Sequence, residues 1–359
     1  MTGMVDAVLG NRHILANWQA WQVAQAVAVE HGGGPWALAD AATLQRNARY
    51  GLWQLTLRTP DGKRRAAILK ILGSSRRMRI ERNLYLRGYS TLAPLLPRVY
   101  ACRRQGARTW IFQEHVRQLA GRHPWTPETF TRVIPTVARL HAATYRRGGS
   151  PAPRDFGGWV PSYAGGYYAG RDAYRQTRAY LRRALRRPRL AAQLRPYRRL
   201  LLYLLRRGPA SFRELRRTGW AIIHGDLHAH NICCNDLDAE NWDIRLIDWE
   251  SMRYAPVWFD LIVLVEMLMD FRPDWRSRQG AIRRRAIADY LKAMESHGIR
   301  IGGDHMRLYR LAYLQRTLER GLRTQLRRAL EGREAALLKP YLRKVRRWSR
   351  RLGLVPRRR

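Results

Sequence analysis

Two short apolar runs in the second half of the chain each end at an acidic residue. Residues 221–223 lead to Asp226, residues 244–247 lead to Asp248, and Asn231 follows Asp226 by five positions. A carboxylate held after a buried strand can accept the proton of a hydroxyl group, and carboxylate and amide oxygens are ligands that Mg²⁺ prefers. The ordered set predicts a site that activates a hydroxyl group and holds a metal-bound phosphate.

A lysine and a glutamate in the first third of the chain fit the same chemistry. Lys70 lies within an apolar predicted strand, residues 66–72, where burial of an ammonium is costly unless it meets anions. Glu81 is the only acidic residue between Lys70 and Glu114. We expect an ion pair that turns the ammonium toward the phosphates of a nucleotide. The alternatives are a lysine that reaches solvent from an edge strand and a glutamate exposed among arginines.

The elements around these residues divide the chain into a β-rich part and a helical part. One helix is expected up to about His31, followed by a three-stranded meander with an Asp-Gly turn at residues 61–62 and a further strand over residues 109–114. The loop between the first two strands, which contains Asn47, can cover a phosphate, although it holds a single glycine. A helix over residues 76–89 should follow the meander.

The rest of the chain is predicted to be mainly helical. Thr126 and Pro127 are a cap and a first helical residue. Further helices are expected within residues 171–217, 257–269, 276–297, 304–330 and 331–352, with a loop over residues 148–170. The fold class is therefore α+β, with a small antiparallel sheet and a larger helical lobe. We divide the chain into a helical extension (residues 1–35), a nucleotide-binding lobe (36–116), a catalytic and substrate-binding lobe (117–352) and a basic tail (353–359).

The charge of the chain is strongly positive. Its 359 residues contain 68 Lys and Arg against 27 Asp and Glu, a formal net charge of +41, and Lys occurs at only five positions. Three interpretations of this charge are open: Arg-rich solvated faces that reflect composition, an anionic partner such as nucleic acid, an acidic membrane surface or a phosphorylated substrate, or both together. Three cysteines without metal-binding spacing, no signal pattern and no apolar span of about 20 residues predict a cytoplasmic protein without a transmembrane segment.

The motifs resemble a known family. His224-x-Asp226-x-x-x-x-Asn231 and Ile247-Asp248-Trp249-Glu250 look like the catalytic loop and metal-binding motif of the aminoglycoside phosphotransferase and choline kinase-like family. The resemblance implies a protein-kinase-like fold and a kinase that transfers the γ-phosphoryl group of ATP or GTP to a small-molecule hydroxyl.

The resemblance also implies roles for individual residues. Asp226 is the catalytic base, with His224 beside it as a brace of the backbone, and Asn231 and Asp248 are the Mg²⁺ ligands. Residues implied at the nucleotide are Lys70, Glu81, Gln113, Glu114 and Val116. Asn47, in the loop between the first two strands, is a further candidate from the sequence. Asp260 resembles the aspartate that supports the catalytic loop, His228 lies where the family usually has a histidine, and Glu250 contacts substrate or pairs with Arg253.

The sequence departs from protein kinases in ways that bear on function. Trp249 stands where they have Phe-Gly, and no long activation segment separates Asp248 from the next helix. Both departures disfavour a protein kinase. A kinase-like binding module that uses Arg-rich helices on nucleic acid or an acidic membrane surface is the alternative. For a kinase, the partners are a nucleoside triphosphate and a hydroxyl substrate such as a sugar, a phosphorylated metabolite, a lipid headgroup or an antibiotic. The charge favours a neutral or anionic substrate.

Overall fold

The structure is a computed structural model that describes residues 11–31, 34, 36–46, 50–147, 150–163 and 171–356. The chain forms two compact units. Unit 1 comprises Met1–Leu119 and Asn231–Ser251, and unit 2 comprises Ala120–His230 and Met252–Arg359. Residues 231–251, which the sequence division assigns to the larger lobe, group with unit 1 in the structure.

Unit 1 contains a five-stranded antiparallel sheet in the order β1-β2-β3-β5-β4. Its strands are β1 (Ala37–Arg46), β2 (Tyr50–Arg58), β3 (Arg64–Leu72), β4 (Val99–Gln105) and β5 (Arg108–Glu114). Side chains of β2 alternate between buried and partly buried positions, as expected for a strand with one face on a core. The predicted meander is confirmed, and its Asp-Gly turn places Gly62 at a φ of 80°, which favours glycine.

The segment before the sheet forms two helices, α1 (Asn11–Ala20) and α2 (Val23–His31). The prediction of one continuous helix is wrong because Gln22 adopts a φ of 53°, which breaks the α-helical hydrogen-bond pattern between them. Trp18 packs edge-on against Phe112 of β5, with ring centroids 5.7 Å apart. The two helices therefore cover one face of the sheet, and each fully buried large side chain there contributes about 1.5–3 kcal/mol.

The opposite face of the sheet carries Lys70. Successive strand residues point to opposite faces, so Leu69 and Ile71 enter the core under α1 and α2 while Lys70 points away from it. Helix α3 (Arg76–Asn83) follows, with Ser75 accepting a hydrogen bond from the backbone of Met78 as its cap. A π-helical turn (Leu84–Gly88) and α4 (Tyr89–Leu92) extend the same segment.

Residues 231–251 add a short hairpin to unit 1. Strands β7 (Ile232–Cys234) and β8 (Ile244–Leu246) pair antiparallel. The chain after β5 pairs with β7, since Leu119 donates its N–H to Ile232 O at 2.9 Å and Cys234 donates to Arg117 O at 2.9 Å. Three-residue strands that are buried on both faces show no alternation, and the sequence prediction missed β7 for this reason.

Unit 2 is mainly helical around a two-stranded ribbon of β6 (Trp220–Ile223) and β9 (Arg253–Pro256). Its helices are α5 (Pro127–Ala142), α6 (Arg171–Leu185), α7 (Pro188–Leu194), α8 (Arg198–Arg207), α9 (Arg213–Arg216), α10 (Trp258–Phe271), α11 (Gln279–Glu295), α12 (His305–Arg316), α13 (Leu322–Leu330) and α14 (Leu338–Arg351). The predicted α+β class, with a small sheet and a larger helical part, is confirmed.

Three helices of unit 2 bear on the site. Helix α5 begins at the predicted Thr126 cap, which forms a capping box with Thr129. Helix α10 is buried on almost all sides and contains the acidic residues Asp260 and Glu266. Helix α12 continues into α13 through a π-helical turn (Thr317–Gly321), a feature that often marks functional sites. The last predicted helix begins later than expected, at Leu338, and residues 331–337 form turns and irregular chain instead.

Candidate active site

In unit 1, Lys70 lies between two carboxylates. Its Nζ is 2.7 Å from Glu81 Oε1 and 3.1 Å from Asp248 Oδ1. Lys70 and Glu81 are both buried, whereas the side chain of Asp248 is 58% exposed. Burial alone lowers the pKa of Lys70, but the nearby Glu81 and Asp248 carboxylates outweigh it and raise this pKa above its ordinary value. The ammonium is therefore charged at neutral pH, and the ion pair expected from the sequence is present.

The backbone at Asp248 is unusual. Asp248 adopts a φ of 61°, which non-glycine residues rarely do and which costs about 1–3 kcal/mol. The next residue, Trp249, is fully buried and donates its indole N–H to Leu246 O at 2.8 Å. This contact fixes the turn after β8, and the left-handed residue leaves the Asp248 carboxylate exposed beside Lys70.

Asn231 lies directly before β7 and close to Asp248 along the ladder. Ile247 donates its backbone N–H to Asn231 O at 3.1 Å, one step beyond the Ile232–Leu246 pair. Asn231 is 4% exposed. The hairpin therefore places Asn231 and Asp248 at the same end of two paired strands, and an amide and a carboxylate are side-chain types that suit Mg²⁺.

Three residues implied at the nucleotide lie at the end of β5 or just after it, in different environments. Gln113 is buried inside β5, and its Oε1 has no hydrogen-bond partner among the described residues. Glu114 accepts hydrogen bonds from the backbone N–H of Arg98 and from Asn235 Nδ2, both at 3.3 Å. Val116 is half-buried in the irregular segment after β5.

Asn235 is a further residue of this segment that was not predicted from the sequence. Its Nδ2 also donates to His115 O at 3.3 Å, and its Oδ1 accepts from Arg117 N at 3.0 Å. Asn235 therefore fixes the backbone of the segment after β5. No local pattern distinguishes it from an ordinary loop asparagine.

In unit 2, the loop after β6 is held by Asp260. The backbone N–H groups of His224 and Gly225 donate to its two carboxylate oxygens at 2.7 Å and 2.8 Å. Asp260 is fully buried in the first turn of α10, where the helix dipole favours an acidic residue. Burial raises the pKa of Asp260, but hydrogen bonds from His141 and from Gly225, together with the nearby histidines, lower it more. A buried, ionised carboxylate thus fixes the backbone that leads to Asp226.

A second layer of side chains supports this loop. His141 Nε2 lies 3.3 Å from Asp260 Oδ2, and His141 Nδ1 lies 2.7 Å from the Tyr290 hydroxyl. His141 thus links the buried Asp260 carboxylate to the Tyr290 hydroxyl. Thr144 Oγ1 accepts the N–H of Ile222 at 2.9 Å. No local sequence pattern indicates that His141 contacts Asp260 and Tyr290.

Asp226 itself is partly buried between two arginines. Arg320 Nη2 lies 3.3 Å from its Oδ2, and Arg316 Nη2 lies 3.6 Å from its Oδ1. Burial raises the pKa of Asp226, but the two guanidinium groups outweigh it, so the carboxyl has a pKa below its ordinary value. Neither arginine can be recognised from the sequence, since both are remote from Asp226 along the chain and resemble its many other arginines.

The remaining predicted site residues are placed as follows. His224 is fully buried, and its Nδ1 lies 3.4 Å from the backbone nitrogen of Asp226. His228 is partly buried and packs edge-on near His230. Glu250 is partly buried in a short 3₁₀ turn, Trp249–Ser251. Asn47 lies outside the described residues.

Comparisons with known proteins identify the family. Residues 55–296 match the phosphotransferase enzyme family. No curated protein sequence matches the chain significantly. Among solved structures, a mutant of aminoglycoside 2'-phosphotransferase IIIa in complex with GDP is 13% identical, with 93% of this chain and 98% of that chain covered and a TM-score of 0.54. Choline kinase from Cryptosporidium parvum Iowa II is 12% identical, with coverages of 88% and 91% and a TM-score of 0.55.

The chain belongs to the phosphotransferase enzyme family, because the match covers more than half of its length. It is a phosphotransferase with an alcohol group as acceptor, as the motifs predicted. The structural likenesses, at this low identity, establish the protein-kinase-like fold. In the part of the chain that the structure describes, no helix is long and apolar enough to cross a membrane.

Proposed function

We propose that the protein is a small-molecule kinase that transfers the γ-phosphoryl group of ATP or GTP to a substrate hydroxyl. The observation that carries the proposal is Lys70, a buried ammonium held 2.7 Å from Glu81 and 3.1 Å from the exposed Asp248 carboxylate. A purely structural ion pair would not require the strained backbone at Asp248. That strain supports a functional role for the Asp248 carboxylate in addition to any contribution to stability.

Lys70 is the phosphate-binding residue in this proposal. Glu81 and Asp248 accept two of the three N–H donors of the ammonium, and the third can bind a phosphate oxygen. Asn235 binds His115 O and Arg117 N, so we assign the backbone of Val116, which lies between them, to the nucleotide base. Glu114 contributes through the backbone, since its carboxylate is already bound by Arg98 and Asn235.

Asn231 and Asp248 are the residues that would hold Mg²⁺. An amide oxygen and a carboxylate at the end of two paired strands are hard ligands, and the exposed Asp248 leaves room for phosphate and water oxygens. When bound, Mg²⁺ neutralises charge on the transferring phosphate.

Asp226 is the residue that receives the acceptor hydroxyl. Its low pKa keeps it ionised at neutral pH, so it can accept the hydroxyl proton and orient the oxygen. Phosphoryl transfer depends mainly on positioning and electrostatics, so a weakly basic carboxylate in a fixed loop is sufficient. Asp260 supplies that fixed geometry through His224 and Gly225.

The structural relatives support this assignment. The aminoglycoside phosphotransferase structure contains GDP, and that enzyme and choline kinase are named for small-molecule acceptors. By analogy with these relatives, we propose a nucleoside triphosphate as the phosphoryl donor and a small hydroxyl compound as the acceptor. The acceptor belongs to the classes considered from the sequence: a sugar, a phosphorylated metabolite, a lipid headgroup or an antibiotic.

The test is a nucleotide-consumption screen. Purified protein is incubated with Mg-ATP or Mg-GTP and a library of metabolites and antibiotics, and nucleoside diphosphate and phosphorylated acceptor are quantified together. We expect one acceptor class to stimulate nucleotide consumption and to gain one phosphoryl group. Lack of both transfer and thermal stabilisation by either nucleotide would refute the proposal.

A further inference from the structure

Two arginines converge on the carboxylate of Asp226. Arg316 ends α12, and Arg320 lies four residues later in the π-helical turn. Arg316 Nη2 donates to Gly225 O at 2.9 Å and lies 3.6 Å from Asp226 Oδ1, while Arg320 Nη2 lies 3.3 Å from Oδ2. The turn that presents them is tightly packed, because a Cβ on Gly321 would lie 2.9 Å from the ring of Tyr341.

The charges of this group do not balance. One carboxylate faces two guanidinium groups, and burial together with the neighbouring Arg320 lowers the pKa of Arg316 to about 10. Arg316 is still charged at neutral pH. Arg320 Nη1 is buried and has no hydrogen-bond partner among the described residues. A buried guanidinium donor without a partner is costly, so the pair is suited to a further anion.

A cavity of about 220 Å³ within unit 2 opens onto this pair. Its walls include both arginines, Asp226 and a set of apolar and aromatic side chains, namely Ile262, Val263, Met267, Tyr313, Leu337 and Tyr341. Such a cavity suits a compact molecule with one charged end and an apolar side.

The other acidic residues of the cavity are neutralised. Glu266 pairs with Arg283 at 2.6 Å and with Lys344 at 2.7 Å, and Asp270 pairs with Lys344 at 2.6 Å. Among the described carboxylates that line the cavity, Asp226 alone does not contact Lys344. Its single negative charge faces the two positive charges of Arg316 and Arg320. A polycationic acceptor would meet net positive charge at this end of the cavity.

We propose that the acceptor carries an anionic oxygen group, a phosphate or a carboxylate, that binds Arg316 and Arg320. This inference rests on the kinase function proposed above and names its substrate class. The anion replaces Asp226 as the partner of the guanidinium groups and leaves the carboxylate to the acceptor hydroxyl. The hydroxyl oxygen then forms a bond to the γ-phosphorus, the bond from that phosphorus to the nucleoside diphosphate breaks, and the hydroxyl proton passes to Asp226.

The test compares matched acceptors in the nucleotide-consumption assay. Each pair differs in one anionic group: phosphate monoesters against their parent alcohols, hydroxy acids against their amides, with aminosugars as a cationic arm. We expect acceptors from one anionic arm to have the highest kcat/KM, and that arm identifies the group as phosphate or carboxylate. Thermal stabilisation by Mg-ATP or Mg-GTP is measured in parallel, so loss of the kinase function itself is seen separately.

Two variants connect the preference to the arginines. Arg320→Gln and Arg316→Gln should each raise KM for the anionic acceptor about 10- to 100-fold, the effect of losing a charge-assisted hydrogen bond. KM for the neutral partner should rise much less, because that acceptor has no anion for either guanidinium to bind. Arg327→Gln removes the same charge from an exposed position of α13 and should have no effect. Arg320 has a side chain 32% exposed, so Arg320→Gln carries the test if Arg316→Gln does not fold.

Three outcomes would overturn the proposal. One is equal or better use of a neutral or cationic acceptor by the wild-type protein. Another is an anionic acceptor whose KM is the same in folded Arg320→Gln and in Arg327→Gln. The third is nucleotide binding without use of any anionic acceptor.

Discussion

Asp260 accepts the backbone N–H of His224 at 2.7 Å, and its second oxygen accepts the next N–H, of Gly225, at 2.8 Å. A helix residue thus determines the backbone of the loop that carries Asp226. The arrangement is fully buried, so a lost hydrogen bond there cannot be replaced readily by water.

Asp260→Asn should therefore weaken both folding and turnover. The amide offers one acceptor oxygen where two N–H groups and His141 need partners, so we expect the free energy of unfolding to fall by about 2 kcal/mol. Turnover should fall about 10- to 100-fold as the Asp226 loop loses its fixed geometry. Denaturant unfolding and steady-state kinetics measure the two effects. Asp274→Asn, at an exposed ion pair with Arg272, is the control, and an equally small effect in both variants would rule out the bracing role.

Lys70 and Glu81 should show strong energetic coupling. Lys70→Met leaves the buried Glu81 carboxylate without its cation. We expect the free energy of unfolding to fall by about 3–5 kcal/mol. The double variant Lys70→Met/Glu81→Leu should be less destabilised than the sum of the two single variants, by at least about 1 kcal/mol. Denaturant unfolding of the four proteins completes the cycle. Additive effects would mean that the 2.7 Å contact is not a coupled pair.

Glu319 predicts a pH dependence of stability. It lies in the π-helical turn, where Tyr163 donates to it at 2.6 Å and Gln315 at 3.1 Å, and burial raises its pKa from 4.5 to about 7. Because the carboxyl pKa is higher in the folded protein, the unfolded chain loses this proton at a lower pH than the folded protein does. Protonated Glu319 therefore contributes fully to the free energy of unfolding below pH 4.5. As the pH rises from 4.5 to about 7, the protein loses about 3 kcal/mol of that free energy.

Glu319→Gln keeps the shape of the protonated side chain and removes this titration. The variant should be more stable than the wild type at pH 8, and the difference should shrink toward pH 4.5. Chemical unfolding across that range, with wild type and variant in the same buffers, measures the difference. A constant difference at all pH values would show that Glu319 does not titrate as burial requires.

The sequence predicted those features that have local or compositional signals. The Asp-Gly turn at Gly62 and the Thr126 cap have short-range chemistry, and the structure contains both. Glu81 could be paired with Lys70 because it is the only acidic residue between Lys70 and Glu114. The motifs around Asp226 and Asp248 also identified the family correctly.

Features that depend on tertiary packing could not be predicted in this way. Gln22 breaks the N-terminal helix although glutamine is a good helix former, so the apolar spacing alone suggested continuity. The partners of Asp226, Arg316 and Arg320, lie about 90 residues away in the chain, and the spacing of four between them is common in an Arg-rich protein. Their convergence depends on a π-helical turn for which the sequence has no established signal.

The central claim is that Asp226 receives the acceptor hydroxyl in a nucleotide-dependent kinase. The most direct measurement compares wild type and Asp226→Asn for phosphoryl transfer to the acceptor found in the screen, together with nucleotide affinity. We predict that turnover falls by at least about 100-fold, as expected for loss of a catalytic acid–base group, while affinity for the Mg-nucleotide stays within about threefold. Turnover in folded Asp226→Asn equal to that of the wild type would contradict the account.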